Sequence, residues 1–184
     1  MKAYKYVSQL LVLLLAFSTF STASDSAREI NSDANGALSE FYNEINGAEK
    51  YLSKAKGYVV FPDVNEAGFM FGGRYGEGVL RVGNVSKSYH SITSGSIGFQ
   101  MGMQNYALII VFTSDAALNK FITDDDWETD MDFSIAMAEW NSEEELDEID
   151  FGSNMVGFVF DSTGMMGNFT MEGTRFKRIT PDID

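Results

Sequence analysis

Cysteine is absent from the 184 residues, so neither a disulfide framework nor a thiolate metal site nor a thioether-linked lipid anchor can be built from this chain. Histidine occurs once, and any imidazole chemistry has to run through His90. Basic residues are scarce: 13 Lys and Arg stand against 27 Asp and Glu, and the formal net charge is −14 at pH 7. A chain of that charge repels polyanions, which argues against nucleic acid as a partner. Long apolar runs are missing as well. After the first residues, no stretch approaches the roughly 20 apolar residues that a helical bilayer crossing needs.

What is present begins with an export pattern. Lys2 and Lys5 give a positive start, Leu10 to Phe17 an apolar core, and Ser21-Thr22-Ala23 a small-residue cleavage site. The expectation is cleavage after Ala23, with residues 24–184 as one soluble domain in the periplasm or outside the cell. Loss of Lys2 and Lys5 makes that domain still more acidic.

From Asp33 to Lys56 the apolar residues Ala34, Leu38, Phe41, Ile45, Ala48, Leu52 and Ala55 recur at steps of four and three, which predicts one amphipathic helix. Ser32 or Asp33 is its expected cap and Gly57 its left-handed end, with Gly36 and Gly47 as weak points. The period then changes to two around Ile97, Phe99, Met101 and Met103, the pattern of a half-buried strand. Tyr106 to Phe112 is continuously apolar and predicts a central strand covered on both sides. Val156 to Phe160 and Asn168 to Glu172 predict a hairpin joined at Asp161–Gly164. Ser114 is placed to cap a short helix turning Ala117, Leu118 and Phe121 inward, and Phe133 to Trp140 is strand-like.

The stretch GFMFGGRYGEGVL, Gly68 to Leu80, poses the question of a phosphate cradle. A dinucleotide fingerprint needs its glycines between a strand and a helix. Here they lead into Val79-Leu80-Arg81-Val82, which is strand-like, and their order is G-x-x-G-x-G with no Lys-Ser or Lys-Thr pair after it. The glycines therefore read as structural. On alternation Gly68, Gly72, Gly76 and Gly78 share a strand face with Met70 and Arg74, where a sheet can bend or another element can press on bare backbone.

Three blocks in order, AKGYVVFPDVNEAGFMFGGRYGEGVL, SGSIGFQMGMQNYALIIVF and GFVFDSTGMMGNFTMEGTRF, resemble the SYLF family from about Ala55 to Ile179. The resemblance implies a non-catalytic domain that binds lipids or membranes, with actin binding in some eukaryotic members. Eukaryotic members typically carry lysines in the turn where this chain has Asp161-Ser162-Thr163. An amphipathic amino-terminal segment used on membranes would correspond to the Asp33–Lys56 helix, whose polar positions include Asp33, Glu40, Glu44 and Glu49 rather than a basic face.

His90 in Ser88-Tyr89-His90-Ser91 has serines at hand, but no G-x-S-x-G elbow is present, and an ordinary strand histidine is the simpler reading. The acidic run Thr123 to Asp132 invites calcium, yet Thr129 stands where an EF-hand loop needs glycine and Ile135 where it needs glutamate. It and Glu143 to Glu148 read as solvated acidic loops. Met70, Met101, Met103, Met165, Met166 and Met171 beside the glycines read as core more readily than as an acyl groove. The cations available to a lipid headgroup are Lys54, Lys56, Arg74, Arg81, Arg175, Lys177 and Arg178.

The resulting expectation is an α+β domain, an amino-terminal helix docked on a strongly bent, mainly antiparallel, glycine-rich sheet closing toward a barrel or sandwich. Its expected function is lipid or membrane association without catalysis, metal or cofactor. The alternative is a protein-interaction domain whose acidic loops meet a basic partner or calcium. An exported chain meets actin only if it is delivered into a host cell.

Overall fold

The Ser26 hydroxyl accepts a hydrogen bond from the Glu29 N–H at 3.3 Å and opens the first helix, α1 (Ala27–Glu44). The computed structural model to which it belongs describes residues 25–129, 135–138, 145–146, 150–161, 164–165, 171 and 173–182. The single helix expected over Asp33–Lys56 is corrected on three points. It starts earlier, at Ser26, because Ile30 already lies on the buried stripe with Ala34, Ala37, Leu38 and Phe41. It breaks after Glu44, and Gly47 in a left-handed conformation (φ 80°) caps a second helix, α2 (Ala48–Lys54). Gly57 is no helix terminator either; it is the first residue of a strand.

That strand, β1 (Gly57–Val82), runs into β2 (Val85–Phe112) through Gly83 and Asn84, whose positive φ values of 57° and 63° are those of a two-residue hairpin turn. The two strands pair antiparallel from Val82↔Val85 out to Gly57↔Phe112, with register shifts near Phe61, Gly68 and Leu80. Strands this long cannot stay flat, because pairing bulges and right-handed twist accumulate along them. β1 accordingly turns back past itself: Gly57 meets Arg81 and Val82, Gly76 meets Asp63 and Val64, and Gly78 meets Val60 and Phe61. A Cβ on Gly78 would stand 2.3 Å from the Val60 carbonyl oxygen. The structural reading of these glycines rests on that close approach.

After β2 come α3 (Asp115–Thr123), capped by Ser114 as expected, then β3 (Asp126–Glu128), β4 (Ala136–Met137), β5 (Met155–Asp161), β6 (Gly164–Met165) and β7 (Thr174–Ile179). They form one sheet ordered β3-β7-β2-β5-β4, with β1 also on β2 and β6 on β5. Only β4 against β5 is parallel. The whole is a strongly curled, mainly antiparallel half-barrel preceded by helices, an α+β fold. β5 and β6 meet as Phe160↔Met165 and Asp161↔Gly164, so the expected hairpin turn is there, while Asn168 to Thr170 and Glu172 lie outside the described residues. The same holds for Phe133, Ser134, Glu139 and Trp140, and for the side chains of 67–72 and 96–104, including Met70, Met101 and Met103.

The centre of the sheet is buried on both faces. On one, α1 and α2 set Phe41 against Phe158 (centroids 5.2 Å, edge-on) and Phe160 (5.6 Å, stacked), over Tyr58, Val60, Ile109 and Val111. On the other, α3 sets Phe121 among Phe112, Trp127 and Phe176, with Val59, Phe61, Leu108 and Ile110 beneath. Alternate residues of Tyr106–Phe112 enter each cluster, as a central strand requires. Burying a side chain such as Phe41 contributes about 2–3 kcal/mol.

Candidate functional site

Cations come to the surface in two groups and to the interior in one. β7 alternates inward Thr174 and Phe176 with outward Arg175 and Lys177. Its antiparallel pairing with β3 lays the acidic run beside them: Arg175 bonds Glu128 at 2.8 Å and reaches Asp126 at 3.6 Å, and Arg178 reaches Asp125 at 2.9 Å. Two charged features that look independent in the sequence are thus each other's partners. Each pair is exposed and screened by solvent, so it adds little to stability. Lys56 pairs with Asp115 at 3.3 Å at the start of α3, and Lys54 is exposed at the end of α2. Among the described residues no group of three metal-binding side chains converges.

Arg74 and Arg81 are different in kind. Arg74 is largely buried, 3.3 Å from Glu66, with its guanidinium 5.9 Å from the Tyr106 ring centroid. Arg81 is 8 % exposed and reaches the Asn31 carbonyl oxygen at 3.4 Å, while its Nε has no hydrogen-bond partner among the described residues. Of the seven cations available to a headgroup, Arg175, Lys177 and Arg178 share β7, Arg74 reaches Thr174 on that strand at 3.5 Å, and Lys54, Lys56 and Arg81 stand on or beside α2 and at the turn end of β1.

Arg81 belongs to a cavity of about 360 Å³ between α1, α2 and the β1–β2 turn. Its floor is made of the buried Leu38, Leu52, Tyr58 and Arg81, and its rim of the exposed Asn35, Ser39, Glu49, Ser53 and Asn84. The break at Gly47 creates the gap by separating α2 from α1. Tyr58 donates to Asn84 Oδ1 at 2.8 Å, and burial first, then the neighbouring Tyr58, pushes the Tyr42 hydroxyl up to about 12. Asn31 fastens α1 to the hairpin, donating to the Tyr89 hydroxyl at 2.7 Å and accepting from the Ser86 hydroxyl at 2.6 Å. None of Asn31, Tyr42, Tyr58 and Asn84 stands out by motif. The one usable signal is Gly83-Asn84 between strand-like runs, which marks a hairpin and places Arg81 beside its turn.

His90 is 1 % exposed, its ring 4.6 Å from that of Phe121 and its Nε2 2.8 Å from the Ser88 hydroxyl. Burial, and secondarily Arg178, lowers its pKa to about 4, against a smaller opposing effect of Asp125. The imidazole is a neutral core group, poorly basic and out of reach of a substrate.

The remaining feature is the middle of the long hairpin. The stretches 67–72 (AGFMFG) and 96–104 (SIGFQMGMQ) contain no charged residue, and their backbones pair with each other from Ala67↔Met103 to Gly72↔Ser96. Of the residues bounding them, Gly73, Gly95 and Asn105 are exposed, and Glu66 is half-buried in its pair with Arg74. No helix among the described residues is long and apolar enough to cross a membrane.

Residues 93–180 match the model of a family described as Ysc84: Las17-binding protein actin regulator, the SYLF family that the three ordered blocks resemble. The match takes in β2 from Thr93 onward and everything from α3 to β7, and leaves α1, α2, β1 and the start of β2 outside it. No curated protein matches the chain.

Proposed function

We propose, from the premise that residues 93–180 match the SYLF-family model, that the chain is an exported protein that associates with lipid surfaces by apolar contact and catalyses no reaction. The observation that carries the reading is the paired, uncharged hairpin segment 67–72 with 96–104 in a chain of net charge −14. With that charge, long-range electrostatics opposes anionic headgroups, so apolar burial at about 0.8 kcal/mol per methylene has to supply the free energy. Neither stretch contains a charged residue that such contact would have to desolvate. Export rests on the pattern of residues 1–23. An interaction with actin or an actin regulator, suggested by the family's description, applies to this chain only where it reaches a host cytoplasm.

Acidic docking of a basic partner or calcium is the weaker reading, because Asp125, Asp126 and Glu128 already face Arg178 and Arg175. Flotation of the natively exported protein with liposomes separates the two, at low and high salt and with or without calcium. Apolar association persists at high salt. Release at high salt, together with no copurifying lipid, would defeat the lipid reading, since contacts between exposed charges are the ones that salt screens.

A further inference from the structure

A guanidinium buried to more than nine-tenths normally has a carboxylate or several strong acceptors, because an uncompensated buried charge is costly. Arg81 has, among the described residues, one long bond to the Asn31 carbonyl oxygen, and its Nε is unsatisfied. It stands at the floor of an open cavity, and the carboxylate in the lining, Glu49, is exposed at the rim. The floor is otherwise apolar or aromatic. A site of one buried cation, two leucines and two tyrosine rings suits a ligand with an anionic oxygen group at one end and hydrocarbon behind it.

We infer that this cavity binds a single-chain anionic amphiphile, its carboxylate or phosphate against Arg81 and its chain against Leu38, Leu52 and the rings of Tyr42 and Tyr58. A volume of about 360 Å³ equals about a dozen water-sized volumes of roughly 30 Å³, which matches a ligand of about twelve non-hydrogen atoms. Tyr42 stays protonated at neutral pH, its hydroxyl bonded to Tyr58, and contributes its ring to the lining. The cavity lies at the turn end of the hairpin, apart from the uncharged stretches, and takes up a monomeric ligand. It therefore stands or falls independently of vesicle association.

The test is calorimetric titration of the full chain with decanoate, decyl phosphate and the uncharged decanol, with flotation run in parallel. Saturable binding of decanoate or decyl phosphate at one per chain is expected, and whichever binds identifies a free fatty acid or a phosphate-headed lipid as the source. Arg81→Met should weaken the anion at least tenfold, the range of a hydrogen bond to a charged group, and leave decanol unchanged. Ser39→Trp, an exposed rim position, should weaken every ligand by filling the mouth, and Lys120→Ala on α3 should weaken none. Absence of one-to-one binding, or a wild-type response from Arg81→Met, overturns the proposal. Should that variant fail to fold, a wild-type response from Ser39→Trp does so. Flotation unchanged in these variants leaves the membrane reading untouched whichever way the titration falls.

Discussion

Acidification probes the core through one residue. In the unfolded chain His90 takes up a proton near pH 6.5, whereas in the folded protein it resists until about pH 4. Between those values the unfolded state binds more protons, so stability falls as the pH falls; above pH 6.5 the residue contributes no pH dependence. At about 1.4 kcal/mol per unit over about 2.5 units, the loss approaches 3 kcal/mol by pH 4. That is a large share of the 5–15 kcal/mol typical of a domain. Asp25 acts in the opposite sense, since burial raises its pKa, and it is common to wild type and variant. Urea denaturation at several pH values between 7.5 and 4 measures the effect against His90→Phe, which keeps a ring against Phe121 and removes the titration. The wild type should lose about 3 kcal/mol more than the variant. Because the chain has one histidine, proton NMR follows its ring without assignment. Parallel stability profiles, or a native ring midpoint between pH 6 and 7, would refute the argument that burial holds the imidazole neutral.

Gly78→Ala should destabilise the protein by about 2 kcal/mol or more, since its Cβ would collide with the Val60 carbonyl oxygen, whereas Gly95→Ala, with nothing within 4 Å, should change it by less than about 0.5 kcal/mol. Thermal melts of the two variants compare them directly, and equal effects would contradict the fold-back of β1. Trp127→Phe should cost no more than about 1 kcal/mol despite full burial, because it removes an indole N–H that has no partner among the described residues while keeping a ring beside Phe176. A loss above about 3 kcal/mol in chemical denaturation would show that this N–H is satisfied after all.

Periodicity disclosed the parts whose neighbours follow from local pattern. The α3 cap at Ser114, the two-sided burial of Tyr106–Phe112 and the structural role of Gly76 and Gly78 were all legible. The break between α1 and α2 was not, for a physical reason: Ile45, Ala48 and Leu52 are all buried on the same face, so the apolar stripe runs unbroken through the place where the backbone turns. Nor does a period of two say which strand pairs with which. That Arg175 and Arg178 meet Glu128 and Asp125, or that Arg81 lies under α1, depends on register between elements far apart in the chain. The cavity is hidden for the same reason, being assembled from α1, α2, β1 and the turn, no one of which carries a motif.

The Gly83–Asn84 turn has a kinetic consequence. Pairing can start at Val82↔Val85 and extend outward to Gly57↔Phe112, each step closing a loop only slightly larger than the last. A chain whose contacts look distant in sequence can thus avoid most of the loop-closure cost that slows β-rich folds. β5 and β7 then add to an edge of β2 that already exists. Lesions at the turn should slow folding and leave unfolding almost unchanged, and lesions in β7 should do the reverse.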